Sequence, residues 1–157
     1  MRTLYLAGGL FNAAERLHNL YLEKHLKPYG YNILLPQREA VQFSEDDVFD
    51  GDAIMEDCHA SCWSPENLYV GCIDGADADG GTAVEYGIAI SITGRAVVYR
   101  TDFRTATDKE LGYNAMFRIK GTTFIYYPCY FTELDQADAY YAELARRIHE
   151  GIQGLSS

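Results

Sequence analysis

Residues 74 to 87 read Asp-Gly-Ala-Asp-Ala-Asp-Gly-Gly-Thr-Ala-Val-Glu-Tyr-Gly, gathering Asp74, Asp77, Asp79 and Glu85 in one short stretch. Carboxylates this close raise one another's pKa, whereas the positive end of a helix favours their ionised forms. That opposition is typical of sites where carboxylates do chemistry. Around a neutral ligand it suits glycosyl chemistry, with one carboxylate attacking the anomeric carbon and an acid protonating the leaving group. A glutamate at a helix N-terminus would remain ionised and nucleophilic, and nearby aspartates could hold the proton. A cheaper reading exists on this stretch alone. Thr82 and Glu85 have the spacing of a capping box, in which Glu85 only satisfies backbone donors.

Other constellations carry less. His18, His25, His59 and His149 fall on predicted helices, away from the loop ends, and read as surface or core residues. No Ser/His/Asp arrangement therefore competes. Cys58, Cys62, Cys72 and Cys129 lack the spacing of a disulfide framework. Cys58, His59 and Cys62 lack a second ligand pair, so they read as ordinary helix thiols and no metal is expected. Gly8-Gly9-Leu10-Phe11 offers backbone donors but no hydroxyl cluster, and the Gly-x-Gly-x-x-Gly fingerprint is absent. Three aspartates beside it would repel a phosphate. No flavin or other cofactor is expected; a neutral, polar ligand fits better.

The elements that must position these residues follow from periodicity and punctuation. Thr3 to Ala7 predicts a first strand, stopped by Gly8-Gly9. Asn12 with Glu15 three residues on starts a helix carrying Ala13, Leu17, Leu20 and Leu26, which ends near Pro28 and Gly30. Asn32 to Leu35 is a second strand, closed by Pro36. Residues 37–50 read as a long acidic loop of the kind that carries function, and base preference would lie there. A helix from about Ser44-Glu45 or Asp46 carries Ile54, Met55, Cys58 and Cys62 and breaks at Ser64-Pro65.

Strand three is Asn67 to Ile73. After the acidic loop, a helix from Thr82 to Thr93 is apolar almost all round, should be buried, and ends at Gly94. Arg95 to Tyr99 is strand four, residues 100–113 a polar loop, 114–119 a short segment, and Thr122 to Tyr127 strand five. Thr132 caps a final helix with Leu134, Ala137, Tyr141, Leu144, Ile148 and Ile152 at helical spacing.

This alternation implies one α/β domain over residues 1–157: a flavodoxin-like, doubly wound, five-stranded parallel sheet, order 2-1-3-4-5, with helices on both faces. In that topology ligands bind beyond the carboxyl ends of strands one and three. Those ends are Ala7-Gly8-Gly9 and the loop 74–81. Catalysis then outranks capping for the loop.

Composition is ordinary for a globular chain, with 48% apolar and 23% charged residues. A net charge of −10 with 13 scattered basic residues argues against a nucleic-acid partner. The apolar run after Met1-Arg2-Thr3 is too short for a signal peptide or membrane span. A reduced, cytoplasmic protein with no membrane partner is the simplest expectation.

Taken in order, the pieces resemble the nucleoside 2-deoxyribosyltransferases. They are Tyr5-Leu6-Ala7-Gly8-Gly9-Leu10-Phe11 with Glu15-Arg16, Asp74-Gly75, and Asp79-Gly80-Gly81-Thr82-Ala83-Val84-Glu85-Tyr86-Gly87. Tyr99 to Arg104 and Asn114-Ala115-Met116 complete them, and the resemblance covers residues 3–20, 66–104 and 112–117. It implies an oligomeric enzyme (a homo-oligomer, either a dimer or a dimer-based hexamer) acting on 2′-deoxynucleosides and free purine or pyrimidine bases. It further implies double displacement without a cofactor, through a covalent 2-deoxyribosyl intermediate on Glu85, with retention. Asp79 would contact the base and help move its proton, and Tyr5 would hold the Glu85 carboxylate.

Ala7, Gly8 and Gly9 would line the substrate site and Phe11 would wall the base pocket. Asn114 and Met116 would serve the 5′-hydroxyl in a neighbouring subunit. The family also places an aspartate in the helix before strand three. Asp57 and Asp52 compete for that role, and counting back from strand three favours Asp57. Arg100 and Arg104 read as partners of Asp102, Asp108 and Glu110 rather than as a phosphate clamp. The tyrosine-rich stretch 126–131 reads as strand and core aromatics or as an interface. An N-glycoside hydrolase on the same scaffold and a non-enzymatic nucleoside sensor are the alternatives.

Overall fold

The computed structural model describes residues 1–38, 51–104 and 113–155. Most of the expected acidic loop 37–50, the first part of the helix expected from Ser44-Glu45 or Asp46, and Asp108 and Glu110 lie outside them. Strands β1 (Thr3–Ala7), β2 (Asn32–Leu34), β3 (Leu68–Cys72), β4 (Ala96–Arg100) and β5 (Thr122–Tyr126) form one parallel sheet in the order β2-β1-β3-β4-β5. This is the expected doubly wound topology, and it sets the ends of β1 and β3 side by side.

The period-two alternation of the central strands divides the core into two layers. Leu4, Leu6, Leu68, Val70, Val97 and Tyr99 point to one face, where α1 (Ala13–Leu26) and α4 (Ala137–Gly154) pack. Tyr5, Ala7, Tyr69, Ala96 and Val98 point to the other, under α2 (Gly51–Trp63) and α3 (Gly80–Thr93). Tyr5 thus emerges on the α2–α3 side because it neighbours Leu4 and Leu6. Gly71 has a specific use. A Cβ there would stand 2.5 Å from the Tyr69 hydroxyl, which lies along the strand and donates to Thr82 O at 2.9 Å. The bare strand therefore lets Tyr69 pin the first turn of α3.

Several local expectations are corrected. Helix α3 starts at Gly80, not Thr82, because Asp79 is its cap. It is buried on one side only: Thr82, Tyr86, Ala89 and Ile90 face inward, while Val84 is 64% exposed. Gly94, at φ 67°, ends it by returning its N–H to Ile90 O at 2.9 Å, as expected. The buried stripe of α1 is Asn19, Leu22, Glu23 and Leu26, whereas Leu17 and Leu20 are exposed. Polar residues can face inward there because Asn19 donates to Gln37 and Glu23 pairs with Arg38.

Thr132 does not cap the last helix. Glu133 and Gln136 form a reciprocal box around a 3₁₀ turn (Leu134–Gln136) ahead of α4, and this leaves Leu134 exposed. None of the four cysteines forms a disulfide. No helix among the described residues is long and apolar enough to cross a membrane.

Candidate active site

The β3–α3 loop delivers its acids to different places. Asp79 caps α3: its Oδ2 accepts from Thr82 N at 2.9 Å and from the Thr82 hydroxyl at 3.2 Å. Thr82 is therefore a donor within the first turn rather than the cap, and the Thr82/Glu85 capping box does not form. Glu85 stands in the second turn, past the free amides. Its carboxylate turns toward the sheet, where Oε1 accepts from the Tyr5 hydroxyl at 2.7 Å.

Asp79, Thr82 and Glu85 border a cavity of about 530 Å³. Gly8 and Phe11 supply one wall, Ile54, Met55 and Cys58 of α2 a second, and Asp79 and Glu85 a third. The i, i+4 spacing of Ile54 and Cys58 turns that face of α2 inward. Asp52 and Asp57 lie off it and do not line the cavity. Ala7 is fully buried beneath, and Gly9 faces a different cavity. Asn114 caps a 3₁₀ turn (Ala115–Arg118) by accepting from Met116 N at 3.0 Å. Met116 is 69% exposed, and neither residue lines this chain's cavity.

Burial pushes the Glu85 carboxyl above the ordinary range; the Tyr5 hydroxyl and the Cys58 thiol pull it back, and the charge of Asp79 pushes it further up. The expected benefit of the helix N-terminus therefore yields to desolvation. Burial, then the charge of Glu85, raises Tyr5 far above a normal phenol, so it stays protonated and donates. A desolvated carboxylate held by one strong donor is a good nucleophile toward an uncharged electrophile. Cys58, an ordinary helix thiol by its sequence context, lines this cavity. The spacing of Ile54, Cys58 and Cys62 was the available signal that these residues share one face.

On the other side of Asp79 lies a second cavity, of about 480 Å³, bordered by Glu15, His18, Asn19, Asp74, Asp77 and Tyr141 among others. His18 is not away from the loop ends, as expected, but beneath them. Its Nδ1 meets the Tyr141 hydroxyl and its Nε2 the Tyr99 hydroxyl, both at 2.9 Å. Burial lowers its pKa against the opposing charge of Asp74, so the ring is neutral. Asp74 accepts from Thr101 N at 2.6 Å, from the Thr101 hydroxyl and from Asp102 N at 3.0 Å, tying the end of β3 to that of β4.

Arg104 holds Asp102 down at about 2, with help from the amide of Gly75. Arg104 thus pairs with Asp102 as expected. Arg100 instead donates to the carbonyls of Ile73 at 2.8 Å and Arg104 at 3.0 Å. Among the described residues no lysine or arginine lines either cavity, and no cluster of His, Cys, Asp and Glu could hold a metal.

A family model described as Nucleoside 2-deoxyribosyltransferase matches residues 4–116. No curated protein matches the sequence. Among solved structures, a conserved protein from Enterococcus faecalis V583 aligns over 98% of this chain and 98% of its own, at 22% identity and TM-score 0.64. A 2-deoxyribosyltransferase from Bacillus psychrosaccharolyticus aligns over 91% of this chain and 95% of its own, at 19% identity and TM-score 0.59. A CMP N-glycosidase from Clostridium botulinum aligns over 94% and 99%, at 13% identity and TM-score 0.59. At these identities the likeness is one of fold.

Proposed function

Because the chain belongs to the nucleoside 2-deoxyribosyltransferase family, we propose that it transfers 2-deoxyribose between nucleobases by double displacement at Glu85. The carrying observation is the Tyr5–Glu85 pair, 2.7 Å apart, at the wall of a largely apolar cavity that Asp79 also borders. Glu85 attacks the anomeric carbon from the face opposite the base. A C–O bond to the carboxylate forms as the C–N glycosidic bond breaks. The departing base takes a proton through Asp79, whose Oδ1 accepts no hydrogen bond among the described residues, while Oδ2 stays locked to Thr82. A second base then passes its N–H proton to Asp79 as its nitrogen displaces Glu85, which restores the acid, and the two inversions give retention.

Phe11, 74% exposed, offers its ring to the base beside Gly8. The lack of basic residues on the described walls supports uncharged nucleosides over nucleotides as substrates. Asp79 alone moves the proton in this reading. Asp57, off the cavity wall, is given no direct role in this reading. The exposure of Met116 suits a residue that serves a neighbouring copy, so the enzyme is read as a homo-oligomer.

Deoxyinosine with free adenine, separated by chromatography, tests this. Deoxyadenosine is the expected product. Free hypoxanthine released at a rate indifferent to adenine would mean a hydrolase instead, and calorimetric binding without turnover would mean a sensor.

A further inference from the structure

We propose that Glu15 is a positioning residue for the base pocket: from the first turn of α1 it holds the backbone of Phe11 in place, and Gly9 is bare so that it can. The proposal rests on the reading of the larger cavity as the nucleoside site. Its ground is the hydrogen bonding of the loop between β1 and α1. Three consecutive residues of that loop each have a backbone group held by a side chain of α1. Asn19 donates to Gly9 O at 3.0 Å, Arg16 Nη1 donates to Leu10 O at 3.1 Å, and Glu15 Oε2 accepts from Phe11 N at 2.8 Å.

Gln37, just past β2, backs this clamp. Its side chain accepts from Asn19 at 3.0 Å and donates to Arg16 O at 3.3 Å, and its carbonyl accepts from Arg16 Nη2 at 3.4 Å. Asn19 and Gln37 are buried, so this part of the clamp belongs to the core. The Glu15 bond differs, because it lies at the surface. An exposed amide can turn to water at little cost, so folding does not depend on it. Nor does the helix start need Glu15 as a cap, since Asn12 Oδ1 already accepts from Ala14 N and Glu15 N. The bond instead selects one conformation for a residue whose exposed ring has little packing to hold it.

Gly9 keeps the space for that carboxylate. A Cβ there would stand 2.6 Å from Glu15 Cδ and 2.9 Å from each carboxylate oxygen, its three nearest neighbours. Gly9 is not in the left-handed region, so its backbone would accept alanine and the collision falls on Glu15. Glu15 and Gly9 line the smaller cavity and Phe11 the larger, so the wall of one is held from the other.

Steady-state transfer kinetics test this. In Glu15→Ala the KM values for nucleoside and acceptor base should both rise about three- to tenfold, the factor by which a wall in place only part of the time weakens binding. The kcat should stay within about twofold, because Glu85, Tyr5 and Asp79 are untouched. Glu15→Gln keeps an acceptor for Phe11 N and should retain the wild-type KM. Asn12→Ala removes the helix cap and should lower Tm without moving KM. Gly9→Ala should raise KM as Glu15→Ala does and add nothing further in the double variant. A second readout needs no turnover. Exchange of the Phe11 amide proton, followed by NMR, should run about three- to tenfold faster in Glu15→Ala and return to the wild-type rate in Glu15→Gln. Both variants are neutral at this position, so a change in charge cannot account for that difference.

The proposal is overturned if Glu15→Ala leaves both KM values unchanged, if glutamine behaves as alanine does, if Asn12→Ala raises KM as far, or if the Gly9→Ala effect persists without Glu15. Should the wild-type protein show neither transfer nor hydrolysis, the functional reading fails, and amide exchange still decides whether Glu15 holds the loop.

Discussion

Two cavities of similar size meet at Asp79, and they treat their carboxylates in opposite ways. On the α1–α4 side Asp74 accepts from two backbone amides and a hydroxyl, and Asp102 from the Gly75 amide and Arg104. On the α2–α3 side Glu85 has one phenol hydrogen bond and stands at the wall of a mostly apolar cavity. A carboxylate crowded with donors is stabilised as the anion and has little to gain by forming a bond. A buried carboxylate with few donors is poised to react. The acidic loop is therefore one sequence feature with two physical fates, and the number of donors around each acid separates them. Asp79 straddles the division, one oxygen locked to Thr82 and the other without a hydrogen bond among the described residues.

The largest effect should come from Glu85→Ala, which ought to cut transfer by about 10³-fold or more while the protein stays folded. Asp74→Ala should act on stability instead. Losing the tie between β3 and β4 leaves backbone donors unpaired and should cost roughly 2–3 kcal/mol, read from urea midpoints. If a folded Asp74→Ala protein lost as much activity as Glu85→Ala, the division between the two sides would collapse. A smaller change in rate belongs to Tyr5→Phe, which removes one hydrogen bond to a charged group. A fall in kcat of roughly 10- to 100-fold is expected, with base and acceptor KM little moved. An unchanged kcat would mean that Tyr5 is only a core aromatic.

The sheet order and the two loops at its edge were legible because strand alternation and glycine punctuation are local signals. The start of α3 was misplaced because Gly80-Gly81 reads as loop, whereas Asp79, two residues before Gly81, already closes the helix. The side of α2 facing Glu85 was not legible at single-residue precision. Asp57 and Cys58 are adjacent, and the roll of α2 about its axis, set by packing against α3, turns the thiol rather than the aspartate into the cavity. His18 was misjudged for a related reason. Its helix buries Asn19 and Glu23 beside Leu22 and Leu26, so the apolar Leu17 and Leu20 pointed to the wrong face. Polar networks such as His18 with Tyr99 and Tyr141 join three elements and leave no periodic trace.

The finest test sets the two sides against each other by sign. The folded pKa of Glu85 lies above its unfolded value, so between the two the native state binds more protons than the unfolded chain. Its contribution is unperturbed below the unfolded pKa of about 4.3 and turns unfavourable as pH rises through the folded value. Glu85→Gln removes that burden while keeping an acceptor for Tyr5. The variant should thus melt modestly above wild type near pH 8, and the gap should close toward pH 4. Asp102 is the reverse case. Held at about 2, it contributes stability that is present above its unfolded pKa and lost as pH falls from there through the folded value of about 2. Asp102→Asn should melt below wild type at neutral pH, the deficit fading in acid. Differential scanning calorimetry of both variants across this range reads the two signs together. Shifts in the same direction would mean that donor number does not separate the proposed nucleophile from the structural carboxylate.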